Sequence, residues 1–148
     1  MMHPQQTKTV SILAPAALAS NATATGLIDT LGFDDCQIDV ILDSAAATTS
    51  GVDSLYIKEH DSSADTSLFA TFSGCVMGTD YTTGVGSATA GVLYRFHIDM
   101  RARKRWLLIG LQIETPTNYG CVMGTLSRPE IGVSTATLAG VNNTRLVC

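Results

Sequence analysis

The chain has 148 residues, which is enough for one domain with one hydrophobic core but not for two. Apolar residues make up 45% of it and charged residues 15%, so the composition of a disordered chain is excluded. A net charge of −4 argues against a general nucleic-acid binder. Its apolar stretches are shorter than the roughly 18 residues of a membrane-spanning helix. We therefore expect a folded domain that binds neither nucleic acid nor membrane.

Short segments that alternate apolar and polar residues recur between clusters of Gly, Asp, Ser and Thr, which predicts an all-β sandwich or barrel. In chain order we predict strands over 7–13, 36–42, 54–60, 68–72, 92–100 and 106–115, with weaker candidates at 131–133, 137–141 and 145–148. The segment 15–20 is the one candidate for a helix. About eight short strands favour a single-domain jelly-roll-like β-sandwich over 1–148, with residues 1–25 as a candidate assembly arm.

A charged connection joins the predicted strands 92–100 and 106–115, which indicates a hairpin. Its tip carries the four basic residues Arg101, Arg103, Lys104 and Arg105. Residues 29–80 hold ten acidic and one basic residue, whereas 93–148 hold seven basic and three acidic ones. Three interpretations follow: the basic tip pairs with acidic residues of the same chain, it discourages the pairing of strand edges between molecules, or it contacts an acidic partner. We take the four residues as the candidate partner interface.

The cluster that most resembles a catalytic site is Glu59, His60 and Asp61. On a strand, Glu59 and Asp61 point to one face and His60 to the other, so the three do not converge. His97 lies in the middle of another predicted strand, where we interpret it as a hydrogen-bonded surface residue. No nucleophile, base and orienting acid can be assembled by spacing. We therefore expect no enzyme and assign no catalytic residue.

Cofactor and metal sites are not expected either. Asp61 and Asp65 lack the spacing of a calcium loop, and 84–89 lacks the third glycine of a dinucleotide fingerprint.

The segment 10–19 is interrupted by proline and follows a single Lys, so we interpret it as part of the fold and not as a secretion signal. The thiols are then expected to be reduced, small and buried. The four cysteines are Cys36, Cys75, Cys121 and Cys148.

One hexapeptide, Gly-Cys-Val-Met-Gly-Thr, occurs twice, at 74–79 and at 120–125. The flanking sequences do not match, so the repeat does not indicate a duplicated fold. We interpret both copies as similar turns that place Cys, Val and Met against apolar surface. No function is assigned to the repeat.

Three segments carry a resemblance to a known family: Asp-Thr-Leu-Gly-Phe at 29–33, Leu-Tyr-Ile-Lys-Glu-His-Asp at 55–61, and Arg-Trp-Leu-Leu-Ile at 105–109. In this order they resemble the small β-sandwich cement, or decoration, proteins on the outside of tailed-bacteriophage capsids. The resemblance implies a virion structural protein, made in the host cytoplasm, that clamps neighbouring major capsid subunits. It also implies self-association into trimers or another small homo-oligomer.

Two other classes of function stay open at this stage. Jelly rolls also serve as lectin domains, so the chain is alternatively a glycan-binding or receptor-binding module of a virion fibre. A hydrolase would require His60 or His97 to meet carboxylates in a pocket. Association with a capsid is the function that we expect first.

Overall fold

A computed structural model describes residues 7–19, 21–43, 52–81, 91–113 and 118–129. The regular elements in this part are eight strands and two single-turn 3-10 helices, Thr66–Leu68 and Met100–Ala102. The strands are β1 (Thr7–Leu18), β2 (Thr23–Asp29), β3 (Phe33–Leu42), β4 (Val52–His60), β5 (Ala70–Val76), β6 (Val92–Asp99), β7 (Trp106–Ile113) and β8 (Asn118–Pro129).

The strands form two four-stranded sheets that pack face to face. Sheet A has the order β1-β8-β3-β6, and sheet B has the order β2-β7-β4-β5. The antiparallel pairs β1 with β8, β2 with β7, β3 with β6, and β4 with β5 follow the path of one long two-stranded ribbon wound around the sandwich. This winding is the jelly-roll arrangement. The structure therefore confirms the expected all-β sandwich of eight strands.

The core lies between the sheets and follows from the period-two alternation of the strands. In β3 the side chains of Ile38 and Val40 are fully buried, and in β7 those of Leu107 and Ile109 are as well. On the side where β1 meets β2, the backbones approach so closely that a Cβ on Gly26 would lie 2.4 Å from the carbonyl oxygen of Ile12. Only glycine fits at this closed side of the sandwich.

The predicted strands 7–13, 36–42, 54–60, 92–100 and 106–115 correspond to β1, β3, β4, β6 and β7. Of the predicted strand 68–72, residues 70–72 belong to β5, whereas Leu68 is the last residue of the 3-10 helix Thr66–Leu68. Sequence reasoning missed two strands, β2 and the central strand β8. The weaker candidates 131–133, 137–141 and 145–148 lie outside the described residues.

The helix candidate at 15–20 is wrong for its first four residues, because Pro15 to Leu18 continue β1. Residue 20 lies outside the described residues. Proline fits at position 15 because β1 is an edge strand and its pairing with β8 is interrupted twice, between Ser11 and Ala16. Of the candidate assembly arm 1–25, most residues thus belong to β1 and the start of β2 in the sandwich. Its role in assembly stays a prediction.

The hairpin predicted between β6 and β7 is also wrong. These strands lie in different sheets, because β6 pairs with β3 while β7 pairs with β2 and β4. The connection crosses the end of the sandwich through the 3-10 turn Met100–Ala102, where Asp99 accepts a hydrogen bond from the backbone N–H of Arg101. The four candidate residues at 101 and 103–105 therefore lie at a corner between the sheets, which we call the basic corner.

Candidate functional site

Every basic side chain of the basic corner forms an ion pair within the chain. The pairs are Arg101 with Asp99 at 2.5 Å, Arg103 with Glu59 at 3.7 Å, Lys104 with Asp61 at 3.6 Å, and Arg105 with Asp29 at 2.7 Å. Three of the four acidic partners belong to the acid-rich half of the sequence at 29–80. The structure thus supports the first interpretation, in which the basic residues pair with acidic residues of the same chain.

Arg105 ties the end of β2 to the start of β7. Its Nε and Nη2 donate to the two carboxylate oxygens of Asp29 at 2.8 and 2.7 Å, a two-pronged geometry that fixes both side chains. The Thr30 hydroxyl and backbone N–H both donate to the Arg105 carbonyl oxygen, at 2.6 and 3.0 Å. Hydrogen bonding to the Arg105 guanidinium holds the pKa of Asp29 below its ordinary value of 3.8.

Arg103 and Lys104 join the corner to β4 and β5. The Arg103 guanidinium lies 4.4 Å from the ring centroid of Phe72, and the backbone N–H of Lys104 donates to a Glu59 oxygen at 3.1 Å. Arg103 is 30% exposed, whereas Arg101 is 62% exposed. Arg101 is thus the corner residue with the most surface open to a partner, and the partner interface stays a prediction.

The three segments that carry the family resemblance meet at this corner. Asp29 begins the first segment, Glu59 and Asp61 lie in the second, and Arg105 begins the third. The ion pairs described above connect the second segment to residues 103–104 and the first to the third. The fold therefore brings these three distant stretches of sequence into one structural joint.

The candidate catalytic residues are not assembled into a site. Glu59 faces the basic corner, while the Nδ1 atom of His60 lies 2.9 Å from the carbonyl oxygen and 3.1 Å from the backbone nitrogen of Ser62. The His60 ring also packs on Phe69, with centroids 5.5 Å apart. His97 lies in the other sheet, exposed opposite Gln37. The searched, described residues contain no group of three side chains placed to hold a metal ion.

The described cysteines, Cys36, Cys75 and Cys121, are free thiols. Cys36 and Cys75 are buried, and burial raises the pKa of the Cys36 thiol to about 12 and that of Cys75 to about 11. Both are therefore protonated and unreactive at neutral pH. Cys121 is half-buried and faces the outside of sheet A, opposite Ile41. Cys148 lies outside the described residues.

The two copies of the hexapeptide have different structures, so their interpretation as similar turns is wrong. The copy at 74–79 contains the end of β5 and the turn that follows it. Gly74 in the strand and Gly78 in the turn have positive φ, and the Asp80 carboxylate accepts from the backbone N–H of Gly74 at 2.8 Å. The copy at 120–125 lies within β8. Because β8 is paired with a strand on each side, its backbone stays extended.

A surface that sequence reasoning missed lies on the outer face of sheet A. Six large apolar side chains among the described residues are exposed, and four of them lie on this face. These four define the apolar patch: Ile41 at 42% exposure, Leu93 at 53%, Tyr119 at 63% and Met123 at 39%. Clustered exposed apolar residues mark sites of interaction with other macromolecules.

Strand pairing places the patch residues side by side. Ile41 of β3 lies directly opposite Leu93 of β6 on one side and Cys121 of β8 on the other. Met123 lies two residues along β8, opposite Asp39, whose carboxylate pairs with the Arg95 side chain at 2.7 Å. An ion pair thus borders the patch on sheet A. The sequence signal for the patch is the alternation of Tyr119, Cys121 and Met123 with the inward residues of β8.

Comparison with known proteins gives no match for this chain, either among protein-family models or among curated protein sequences. Within the described residues, no helix is long and apolar enough to cross a membrane.

Proposed function

We propose that this protein is a capsid cement protein, a virion structural component that binds the outer surface of a tailed-bacteriophage head. It clamps neighbouring major capsid subunits and acts by association, without chemistry. The proposal combines the resemblance at 29–33, 55–61 and 105–109 with a jelly-roll fold, an architecture that viral capsid proteins also use.

The observation that carries the proposal is the apolar patch. Its four side chains are between 39% and 63% exposed, because they project from the outer face of sheet A and not into the core. Burying such a surface against a capsid subunit releases water from apolar area, which stabilises the complex. Each contact that exists only in the assembled shell also stabilises the shell by mass action. The patch is thus proposed as the principal capsid contact.

The basic corner is proposed as a secondary contact. Its internal ion pairs satisfy much of its charge, so an acidic capsid surface would gain most from the exposed Arg101. Contacts between exposed charges weaken as salt is added, because mobile ions screen them. Capsid binding that depends mainly on the apolar patch will therefore persist at high salt.

Glycan binding is supported less well. Sugars stack on exposed aromatic faces, and the outer face of sheet B does carry Tyr56 and Trp106. However, the Lys58 ammonium lies 4.7 Å from the Tyr56 ring centroid, and the Arg105 guanidinium lies 5.3 Å from that of Trp106. A cation already occupies one side of each ring. These contacts compete with a stacked sugar.

The test is co-sedimentation of the purified protein with heads of the phage that encodes it. We compare the unmodified protein with Ile41→Asp in the apolar patch and with Thr25→Asp, a matched change on an exposed strand position in sheet B. Equal urea midpoints for the two variants show that both are folded. The proposal predicts saturable binding at a fixed ratio to the major capsid protein, lost in Ile41→Asp and kept in Thr25→Asp.

Two results would contradict the proposal. Absence of particle binding by the folded, unmodified protein removes the capsid function, and a glycan array then becomes the next experiment. Equal binding by both variants removes the apolar patch from the interface. In that case charge reversal at Arg101, the most exposed basic side chain of the corner, tests the basic corner instead.

A further inference from the structure

The outer face of sheet A changes from apolar to polar along its strands. The apolar patch lies toward one end, and the ion pair between Asp39 and Arg95 borders it. Beyond this ion pair, the face holds a groove with a volume of about 430 Å³. This volume is in the range of small-molecule binding sites. We call it the polar groove, because its lining includes Asp35, Gln37, His97, Asp99, Thr125 and Ser127.

Strand pairing arranges these six side chains in two rows across β8, β3 and β6. The first row is Ser127, Asp35 and Asp99, and the second, two residues along each strand, is Thr125, Gln37 and His97. Residues two apart on a strand point to the same face, so both rows face the polar groove. The groove therefore brings together hydroxyl, amide, imidazole and carboxylate groups.

Ser127 is the residue that points to a ligand. It lines the polar groove, yet it is only 9% exposed. Its hydroxyl forms no hydrogen bond with any described residue. Folded proteins leave few buried polar groups without a partner, and each exception needs an explanation. A ligand in the polar groove supplies the missing hydrogen bond.

The second row offers further hydrogen-bonding groups in fixed positions. The Gln37 amide nitrogen donates to the Asp39 carboxylate at 2.9 Å, and Arg95 holds that carboxylate with two hydrogen bonds of 2.7 and 3.0 Å. This contact orients the amide and leaves its carbonyl oxygen as an acceptor. Neither the Thr125 hydroxyl nor the His97 imidazole forms a hydrogen bond with a described residue.

The two carboxylates of the polar groove are already neutralised by arginine. Asp35 lies 3.4 Å from the Arg128 guanidinium, and Asp99 accepts two hydrogen bonds from Nε and Nη2 of Arg101. A cationic ligand would have to compete with these arginines. The arrangement thus favours an uncharged ligand that both donates and accepts hydrogen bonds.

We propose that the polar groove binds a neutral saccharide through Ser127, Thr125, Gln37 and His97. Each sugar hydroxyl donates one hydrogen bond and accepts others, which matches the mixed groups of the two rows. This site is distinct from the aromatic rings of sheet B, where bound cations compete with a stacked sugar. None of the described lining residues is Phe, Tyr or Trp, so we expect weak binding that depends on hydrogen bonds.

The experiment is saturation-transfer difference NMR, which detects weak binding, on the unmodified protein. The probes are glucose, galactose, mannose, N-acetylglucosamine, maltose and lactose, and titration gives the Kd of each sugar that binds. Thr125→Val removes a hydroxyl of the polar groove and keeps the branched shape of the side chain. Thr25→Val is the matched control, at an exposed strand position of sheet B. The inference predicts that at least one sugar binds, with a Kd about five- to tenfold higher in Thr125→Val and unchanged in Thr25→Val.

Ser127→Ala gives a second readout that separates a ligand-binding role from a structural one. Because the hydroxyl has no partner in the described fold, its removal should leave the urea midpoint of the free protein unchanged or higher, while sugar binding weakens. A lower midpoint, or no binding of any sugar in the panel, would overturn the inference. An equal Kd for Thr125→Val and the unmodified protein would overturn it too. The test needs no capsid, so a negative result leaves the proposed function standing.

Discussion

Two neighbouring residues of β8 test the register of the central strand. Val122 is fully buried between the sheets, while Met123 is 39% exposed on the apolar patch. Because side chains alternate between the faces of a strand, a slip of one residue would exchange their environments. Val122→Ala and Met123→Ala therefore report directly on which face of β8 meets the core.

The expected cost of Val122→Ala follows from its burial. Removing two buried methyl groups loses about 1.6 kcal/mol of transfer free energy. The cavity left behind adds to this, so we expect a total loss of about 2–3 kcal/mol. For a domain of this size, that lowers Tm by roughly 4–12 °C. Met123→Ala removes a longer side chain but from the surface, and we expect a change within about 0.5 kcal/mol.

Urea unfolding of the two variants and the unmodified protein measures both values. Val76→Ala, at the corresponding position of the first hexapeptide copy, is a control whose half-buried side chain should give an intermediate loss. A larger loss for Met123→Ala than for Val122→Ala would refute the assigned register. It would also remove the apolar patch, since Met123 and Cys121 would then face the core.

Three further predictions concern the frame of the sandwich. Gly26→Ala should lower the free energy of unfolding by about 1–3 kcal/mol, since its Cβ would meet the Ile12 carbonyl oxygen at 2.4 Å; an unchanged urea midpoint would contradict this. Tyr81→Phe should cost about 1–3 kcal/mol by removing the hydroxyl that donates to the Leu55 carbonyl, and calorimetry showing no loss would exclude that role. Arg105 lowers the pKa of Asp29, so the ion pair stabilises the fold fully above the ordinary pKa of 3.8, and this stabilisation is lost as the pH falls through the pKa of the folded state. Urea titrations at about pH 6 and about pH 3 should therefore show a smaller decrease in the free energy of unfolding for Asp29→Asn than for the unmodified protein.

The parts of the fold that sequence reasoning identified are those where alternation is uninterrupted. In β3, every second residue from Cys36 to Leu42 is buried, so the pattern predicts the strand directly. β8 was missed because glycines occupy two of its inward positions, 120 and 124, so the inward apolar residues Val122 and Leu126 lie four residues apart and do not show a period of two. Packing favours a small residue at both positions, since a Cβ would lie 2.5 Å from Cδ1 of Ile28 at Gly124 and 2.7 Å from Cδ2 of Leu42 at Gly120.

The candidate site was only partly accessible to sequence reasoning for a related reason. The sequence shows the basic residues at 101–105 directly, but their ion pairs are formed with residues far away along the chain, such as Asp29 and Glu59. Pairing of this kind is set by which strands become neighbours, and the β6–β7 connection crosses between sheets where local sequence indicated a hairpin. The apolar patch depends on the same long-range pairing, since its residues come from β3, β6 and β8.

Cys121 allows the most direct measurement of the proposed capsid contact. It lies opposite Ile41 and beside the apolar patch, and it is only half-buried, whereas Cys36 and Cys75 are buried and protonated. With Cys148 replaced by serine, the rate of Cys121 alkylation by iodoacetamide is measured for the free protein and for protein bound to phage heads. The account predicts much slower alkylation on the particle, because the patch is covered there. An unchanged rate for fully bound protein would contradict it.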